Sequence, residues 1–223
     1  MLNVENSKAK EETMQPAVPA PRHFSMLRGF HLADFFTLGN AACGVGAVFF
    51  AMLYMKSALP FHFFAAAALA PLAFFFDVLD GRIARARHQH SALGRELDSL
   101  SDVISFGVAP AALGFAAGLQ GGWDAAALIY FVCCGVSRLA RYNVTAESLS
   151  GGGDKVKYFE GTPIPTSVVI TGVLALAAWQ GAIGANLWGG AYTVGPWDLH
   201  LMSLLFVLSG SLMISKTLHI PKF

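Results

Sequence analysis

The sequence predicts an all-α integral membrane protein of six transmembrane helices, preceded by an interfacial amphipathic helix, with both termini in the cytosol. Three observations predict it. Apolar residues make up 55% of the chain and charged residues only 13%. Apolar stretches near 35–55, 60–79, 98–119, 124–142, 163–184 and 199–215 approach the ~20 residues that cross a hydrocarbon core of ~30 Å. No strand-period alternation offers a barrel instead, and helices satisfy internally the backbone groups that lipid cannot.

The elements follow in order. Residues 1–21 are polar, with three prolines and little apolar mass to bury, and read as a disordered tail. Residues 22–34, "RHFSMLRGFHLAD", mix bulky apolar side chains with Arg22, Arg28 and His31, as an interfacial helix does. The first apolar run follows this polar opening, so no secretory signal is expected and the first helix stays in the mature protein. The membrane domain runs over 35–218 and a short tail over 219–223. With six spans, every lysine and arginine except Lys56 falls on one side, which the positive-inside rule assigns to the cytosol.

Charge is scarce, yet Asp77, Asp80, Asp98 and Asp102 stand beside long apolar runs. A carboxylate inside a bilayer costs roughly 2.5–3.5 kcal/mol on insertion scales, so clustered ones are functional suspects. Asp77 and Asp80 are three apart and Asp98 and Asp102 four apart, so each pair shares a helical face. If the second and third helices form an antiparallel hairpin with a loop over about 86–95, all four meet at its cytosolic end. Four mutually repelling anions demand cations. Oxygen-only ligands favour Mg²⁺ or Mn²⁺ over zinc, and such ions bridge carboxylates to phosphates. Gly81 and Ala84 leave the same helix surface bare, Arg85 can meet phosphate with a planar fork of donors, and Ser91 adds a hydroxyl in the loop.

The stretch Asp77-Val-Leu-Asp80-Gly81-Arg-Ile-Ala84-Arg85, then eight residues, then Gly94-Arg-Glu-Leu-Asp98-Ser-Leu-Ser-Asp102 resembles the signature DxxDGxxAR(x8)GxxxDxxxD of the CDP-alcohol phosphatidyltransferases. Every fixed position is filled, and the resemblance covers the chain from about residue 30. It implies a six-helix membrane enzyme, a dimer by preference, in which an alcohol attacks the lipid-side phosphorus of a CDP-linked lipid and displaces CMP. It implies that Asp77, Asp80, Asp98 and Asp102 hold divalent Mn²⁺ or Mg²⁺ ions, two per site, with Asp102 also the general base. It implies CDP-lipid contacts at Gly81, Ala84, Arg85, Ser91 and Gly94. Thr37 and Asn40, in "TLGN", resemble the family's upstream nucleotide-binding segment.

The acceptor is read from the second half. "SRLARYNVT" from Ser137 and "KYFEGTPIPTS" from Lys157 resemble the serine-accepting branch of the family, nearest its fungal form. That resemblance implies transfer of the phosphatidyl group from CDP-diacylglycerol to L-serine, in the endoplasmic reticulum membrane facing the cytosol, or the inner membrane in a bacterial source. Arg138 and Arg141, three apart on one face, suit a carboxylate; Tyr142 and Asn143 line the same pocket, and Glu160 faces an ammonium group. The partners expected are thus CDP-diacylglycerol, L-serine and membrane lipids, not nucleic acid. Other acceptors, inositol phosphate or glycerol phosphate, remain within the family. A divalent-cation transporter is the alternative from another class, but it would need charges along a whole transmembrane path, which the chain lacks.

The remaining features are assigned no chemistry. Cys43, Cys133 and Cys134 lie in apolar spans as small fillers, with no disulfide framework. His88 and His90 belong to a basic loop, and His31, His62, His200 and His219 stand singly at membrane boundaries. Gly151–Gly153 read as a linker. Gly114 and Gly118 form a GxxxG compatible with close packing or a dimer face.

Overall fold

The computed structural model describes residues 32–86, 92–150, 158–215 and 219–221. The expectations for the tail, residues 22–31 of the interfacial helix, His88, His90, Ser91 and Gly151–Gly153 lie outside the described residues. The helices are α1 (Leu32–Ser57), α2 (Pro60–Ala86), α3 (Ala92–Asp102), α4 (Ala109–Ala117), α5 (Gly122–Ser150), α6 (Ser167–Trp179) and α7 (Ser203–Ile214). A π-helical turn, Val103–Val108, joins α3 to α4 and makes them one continuous rod.

Four helices are long and apolar enough to cross a membrane: Leu32–Ser57, Pro60–Ala86, Leu93–Ala117 and Gly122–Thr145. Two shorter apolar helices, Ile164–Trp179 and Ser203–Ile214, stand where the fifth and sixth spans are expected. The helical positions therefore follow the apolar stretches, while the last two elements are short. Leu32, Ala33 and Asp34 already belong to α1.

Helix α1 shows why these residues fold this way. Its buried stripe is Asp34, Thr37, Asn40, Gly44, Ala47 and Ala51, at three- and four-residue spacing, and all are small or polar. Its outer face carries Phe35, Leu38, Phe49, Met52 and Leu53, all exposed. Lipid supplies no hydrophobic drive between helices, so small residues that let backbones approach line the inner face. Helix α2 repeats the pattern with Ala66, Ala67, Ala70 and Ala73 inside and Phe61, Leu72, Phe74 and Phe75 outside, and α1 lies along it. Phe63, Phe106, Phe131 and Phe206 fill the core, the last two edge to face.

Two short antiparallel pairs of strands accompany the mostly helical fold that the sequence predicts. Strands β2 (Ala191–Val194) and β3 (Trp197–His200) form a hairpin across Gly195, whose φ is +65°. Strand β1 (Tyr158–Glu160) pairs with β4 (His219–Pro221). Strands of three or four residues are too short to display a period of two.

The hairpin is held by Asp124, whose side chain is fully buried at the start of α5. Its carboxylate accepts the backbone N–H groups of Gly121 at 2.9 Å and His200 at 2.8 Å, and lies 2.6 Å from His200 Nδ1. His200, read singly in the sequence, thus has a partner 76 positions away.

The GxxxG pair also serves packing within the chain. A Cβ at Gly114 would stand 2.8 Å from Phe206 Cζ, and Gly118, at φ +125°, caps α4 against the backbone of Gly184. Neither is spare surface for a second copy.

Candidate active site

Helix α2 delivers Asp77 and Asp80, and α3 delivers Asp98 and Asp102 from the other side of the loop that joins them. The structure brings Asp77, Asp98 and Asp102 together: one carboxylate oxygen from each lies within 4.8 Å of the others. Asp80 stands slightly apart from that triad, buried, and accepts a 2.8 Å hydrogen bond from Thr37 Oγ1 on α1. Asp102, 7% exposed, accepts a 3.2 Å bond from Asn40 Nδ2 on the same helix. The four carboxylates remain within electrostatic reach of one another. The segment "TLGN" thus touches the aspartates themselves, a relationship its sequence position does not reveal.

These side chains are suited to a hard cation. Like charges 4.8 Å apart repel by about 3 kcal/mol per pair even at an effective dielectric of ~20, so the triad is unfavourable unless neutralised. The Oδ1 atom of Asp98 is buried and has no hydrogen-bond partner among the described residues. A buried acceptor left open beside two further carboxylates has the chemistry of an Mg²⁺ or Mn²⁺ ligand set, oxygen only, of the kind that water and phosphate complete.

The nucleotide-side residues are placed as follows. Gly81 is half-buried, and Arg85 folds back over it: a Cβ at Gly81 would lie 3.8 Å from an Arg85 guanidinium nitrogen. Arg85 is itself exposed at the end of α2, one helical turn beyond Gly81, and Ala84 is half-buried beside it. Gly94 is half-buried in the first turn of α3.

On the acceptor side the four helical residues separate. Arg138, half-buried on α5, is drawn electrostatically to Asp102, and its Nε is buried without a hydrogen-bond partner among the described residues. Tyr142, one turn on, interacts with Arg138. Asn143 instead clamps α5 to α3, exchanging hydrogen bonds of 3.2 and 3.0 Å with Ser99 and reaching Glu96 Oε2 at 3.4 Å. Arg141 is half-buried, and its carbonyl accepts from Thr145 Oγ1. Glu160 closes β1, and its side chain lies outside the described positions.

Sequence reasoning missed Asp34, which is 4% exposed in the first turn of α1 and close enough for its charge to act on Asp80. The three-residue steps from Asp34 to Thr37 and from Thr37 to Asn40 were the available signal. It also missed Ser105, whose hydroxyl donates to the carbonyl of Asn40 at 2.8 Å.

Comparison with known proteins decides the lineage. Residues 30–208 match the profile of the CDP-alcohol phosphatidyltransferases. The chain belongs to that family. Among its relatives, the CDP-diacylglycerol–serine O-phosphatidyltransferase of Saccharomyces cerevisiae is 41% identical over 90% of this chain and 74% of its own length. A CDP-diacylglycerol–serine O-phosphatidyltransferase of Mycobacterium leprae is 38% identical over 60% of this chain and 44% of that protein. The archaetidylserine synthase of Methanothermobacter thermautotrophicus is 37% identical over 69% of this chain and 61% of that protein. The chain spans less than two thirds of the last two.

Proposed function

We propose that this phosphatidyltransferase moves the phosphatidyl group of CDP-diacylglycerol to L-serine, giving phosphatidylserine and CMP. The observation that carries the reading is the convergence of Asp77, Asp98 and Asp102, with Arg138 within electrostatic reach of Asp102. The relatives named for serine support the acceptor, and family membership disfavours the transporter alternative.

In this mechanism Asp77, Asp98 and Asp102, with Asp80 alongside, would hold two divalent cations, which would supply neutralisation of the diphosphate charge and stabilise the charge that develops in transfer. Arg85 and the bare surface at Gly81 and Ala84, with Gly94 and Ser91, receive the diphosphate of the CDP-lipid. Arg138 pairs with the serine carboxylate, with Arg141, Tyr142 and Glu160 at the pocket's edge. Asp102 takes the proton from the serine hydroxyl as its oxygen bonds to phosphorus; the bond from phosphorus to the CMP oxygen breaks, and CMP leaves with the electron pair.

The same reading places six spans in the membrane, α6 and α7 included, with both termini and the aspartates at the cytosolic face. It assigns 1–21 to a tail, 22–34 to an interfacial helix leading into α1, 35–218 to the membrane domain and 219–223 to a terminal tail. The membrane is that of the endoplasmic reticulum, or the inner membrane in a bacterium, and the assembly is a dimer.

One assay tests the function. Protein in liposomes, given CDP-diacylglycerol, labelled serine and Mn²⁺ or Mg²⁺, is expected to release CMP and label the lipid in equal amounts. Chelation abolishes both products and added metal restores them. Labelled lipid from inositol phosphate or glycerol phosphate, with none from serine, would overturn the acceptor.

A further inference from the structure

The helix that carries Asp98 and Asp102 changes its winding immediately after Asp102. Over Val103–Val108 it opens into a π-turn, closed by the backbone N–H of Ala109 bonding the carbonyl of Ile104, five residues back. Such turns are rare, less favourable than α-helix, and concentrate at functional sites. Helix α1 packs against this turn and hydrogen-bonds it at Asn40. Asn40, 0% exposed, is engaged twice by the same stretch of the neighbouring rod. Its side-chain Nδ2 donates to Asp102 Oδ1 at 3.2 Å, and its backbone carbonyl accepts from Ser105 Oγ at 2.8 Å.

The two helices are in backbone contact at this point. A Cβ at Gly44, one turn beyond Asn40, would stand 2.5 Å from Ser105 Oγ, 2.7 Å from its Cα and 2.9 Å from its N. Only glycine permits that approach, and the approach brings the Ser105 hydroxyl to the Asn40 carbonyl. The Asn40 amide is assigned with its NH₂ toward Asp102, because turning it over would set an oxygen against a carboxylate. In this orientation Asn40 Oδ1 is buried with no partner among the described residues. A fully buried amide with one half unsatisfied is a poor choice for stability alone, which points to a role in the chemistry.

We propose that Asn40 and Ser105 form a positioning unit for Asp102. Ser105 locks the π-turn to α1 through the Asn40 carbonyl, and the Asn40 amide occupies Asp102 Oδ1, so that Oδ2 is the oxygen that receives the proton of the attacking hydroxyl. Asn40 therefore serves the base, beyond the nucleotide contact that its motif implies. The proposal rests on the assignment of Asp102 as base.

The test compares Ser105→Ala, Asn40→Ala, their double variant and Asp102→Asn in the full chain reconstituted in liposomes. It measures kcat, the KM for serine and for CDP-lipid, and the binding of Mn²⁺ alone by electron paramagnetic resonance. Misplacing a reacting group by about an ångström costs on the order of 100-fold. On that scale kcat falls about 100-fold in Asn40→Ala and about 10-fold in Ser105→Ala, and in Ser105→Ala both KM values and the Mn²⁺ affinity stay within about threefold of the unaltered protein. Because the residues act as one unit, the double variant is no worse than Asn40→Ala within about threefold.

A raised KM for CDP-lipid with kcat unchanged in Asn40→Ala, or losses that multiply in the double variant, overturns the unit. If Asn40→Ala does not fold, Ser105→Ala carries the test alone, since its buried hydroxyl donates to the Asn40 carbonyl and is assigned no substrate contact; unchanged kcat there overturns the proposal. Full turnover in Asp102→Asn would instead remove the base assignment, a separate failure.

Discussion

Thr37 Oγ1 and Asp80 Oδ2 are 2.8 Å apart, joined across α1 and α2 by a buried hydrogen bond between residues 43 positions apart. The hydroxyl also reaches the carbonyl of Ala33 at 3.2 Å, so its proton has two acceptors. Asp80 is 5% exposed, and a hydrogen bond to a charged group contributes about 1.5–3 kcal/mol. Thr37→Val is expected to lower kcat/KM for the CDP-lipid by about 10- to 100-fold on that scale. Thr37→Ser, which keeps the hydroxyl, stays within about threefold. Steady-state kinetics on the two variants checks it; equal loss in both would show that the methyl group matters, not the bond.

Asp102→Asn retains size and the contact with Asn40 but cannot take a proton. Its turnover should drop at least ~100-fold, the ordinary size of a general-base effect. CDP-lipid binding, measured by equilibrium binding of a labelled analogue, should remain largely intact. Loss of binding in parallel with turnover would assign Asp102 to ground-state recognition.

Arg138 and Arg141 are one turn apart on α5, and Arg138 lies within electrostatic reach of Asp102. Arg138→Lys keeps the charge but loses the planar pair of donors that matches a carboxylate. The KM for serine is expected to rise about 10-fold, with the KM for CDP-lipid unchanged. Arg141→Lys should show a smaller rise. A larger effect at Arg141 would reverse the assignment of the two.

The far end of the molecule offers a contrast. Asp124→Ala leaves the backbone N–H groups of Gly121 and His200 without their acceptor and His200 without its ring partner. An unsatisfied buried donor costs about 1–3 kcal/mol, and each kcal/mol shifts the unfolding midpoint by about 2–4 °C for a chain of this size. A fall of roughly 5–10 °C follows from these scales, measured by fluorescence-monitored melting in detergent. kcat well below that midpoint should be unchanged, because neither residue is near the aspartates.

Much of this was legible before the fold. Four helices of membrane length stand where the first four apolar stretches are, and the aspartate motif holds Asp77, Asp98 and Asp102, which the structure brings together. A periodic signal is local, and so is a motif. The partners that hold these groups are not local: Thr37 with Asp80, Asn40 with Asp102, Ser105 with Asn40 and His200 with Asp124 are separated by 43, 62, 65 and 76 positions. Each pairing depends on which helices are neighbours, which no single stretch encodes. The same reason hid the use of Gly114, whose space is taken by Phe206 from α7. Asn143 is expected from its segment to line the pocket with Tyr142, and no local signal showed that its amide also bonds Ser99 on α3. The π-turn left no trace, since "VISFGV" would serve equally well as ordinary apolar helix.

The contact at Gly44 makes one column of a saturation-mutagenesis survey predictable. Every replacement there adds at least a methyl group where the backbone of Ser105 already stands, so growth that depends on the lipid product would tolerate none of the nineteen. Its neighbour Val45 points outward and should accept most greasy residues. Selection would then be acting on a missing atom, and a blank next to a permissive column would mark where two helices meet.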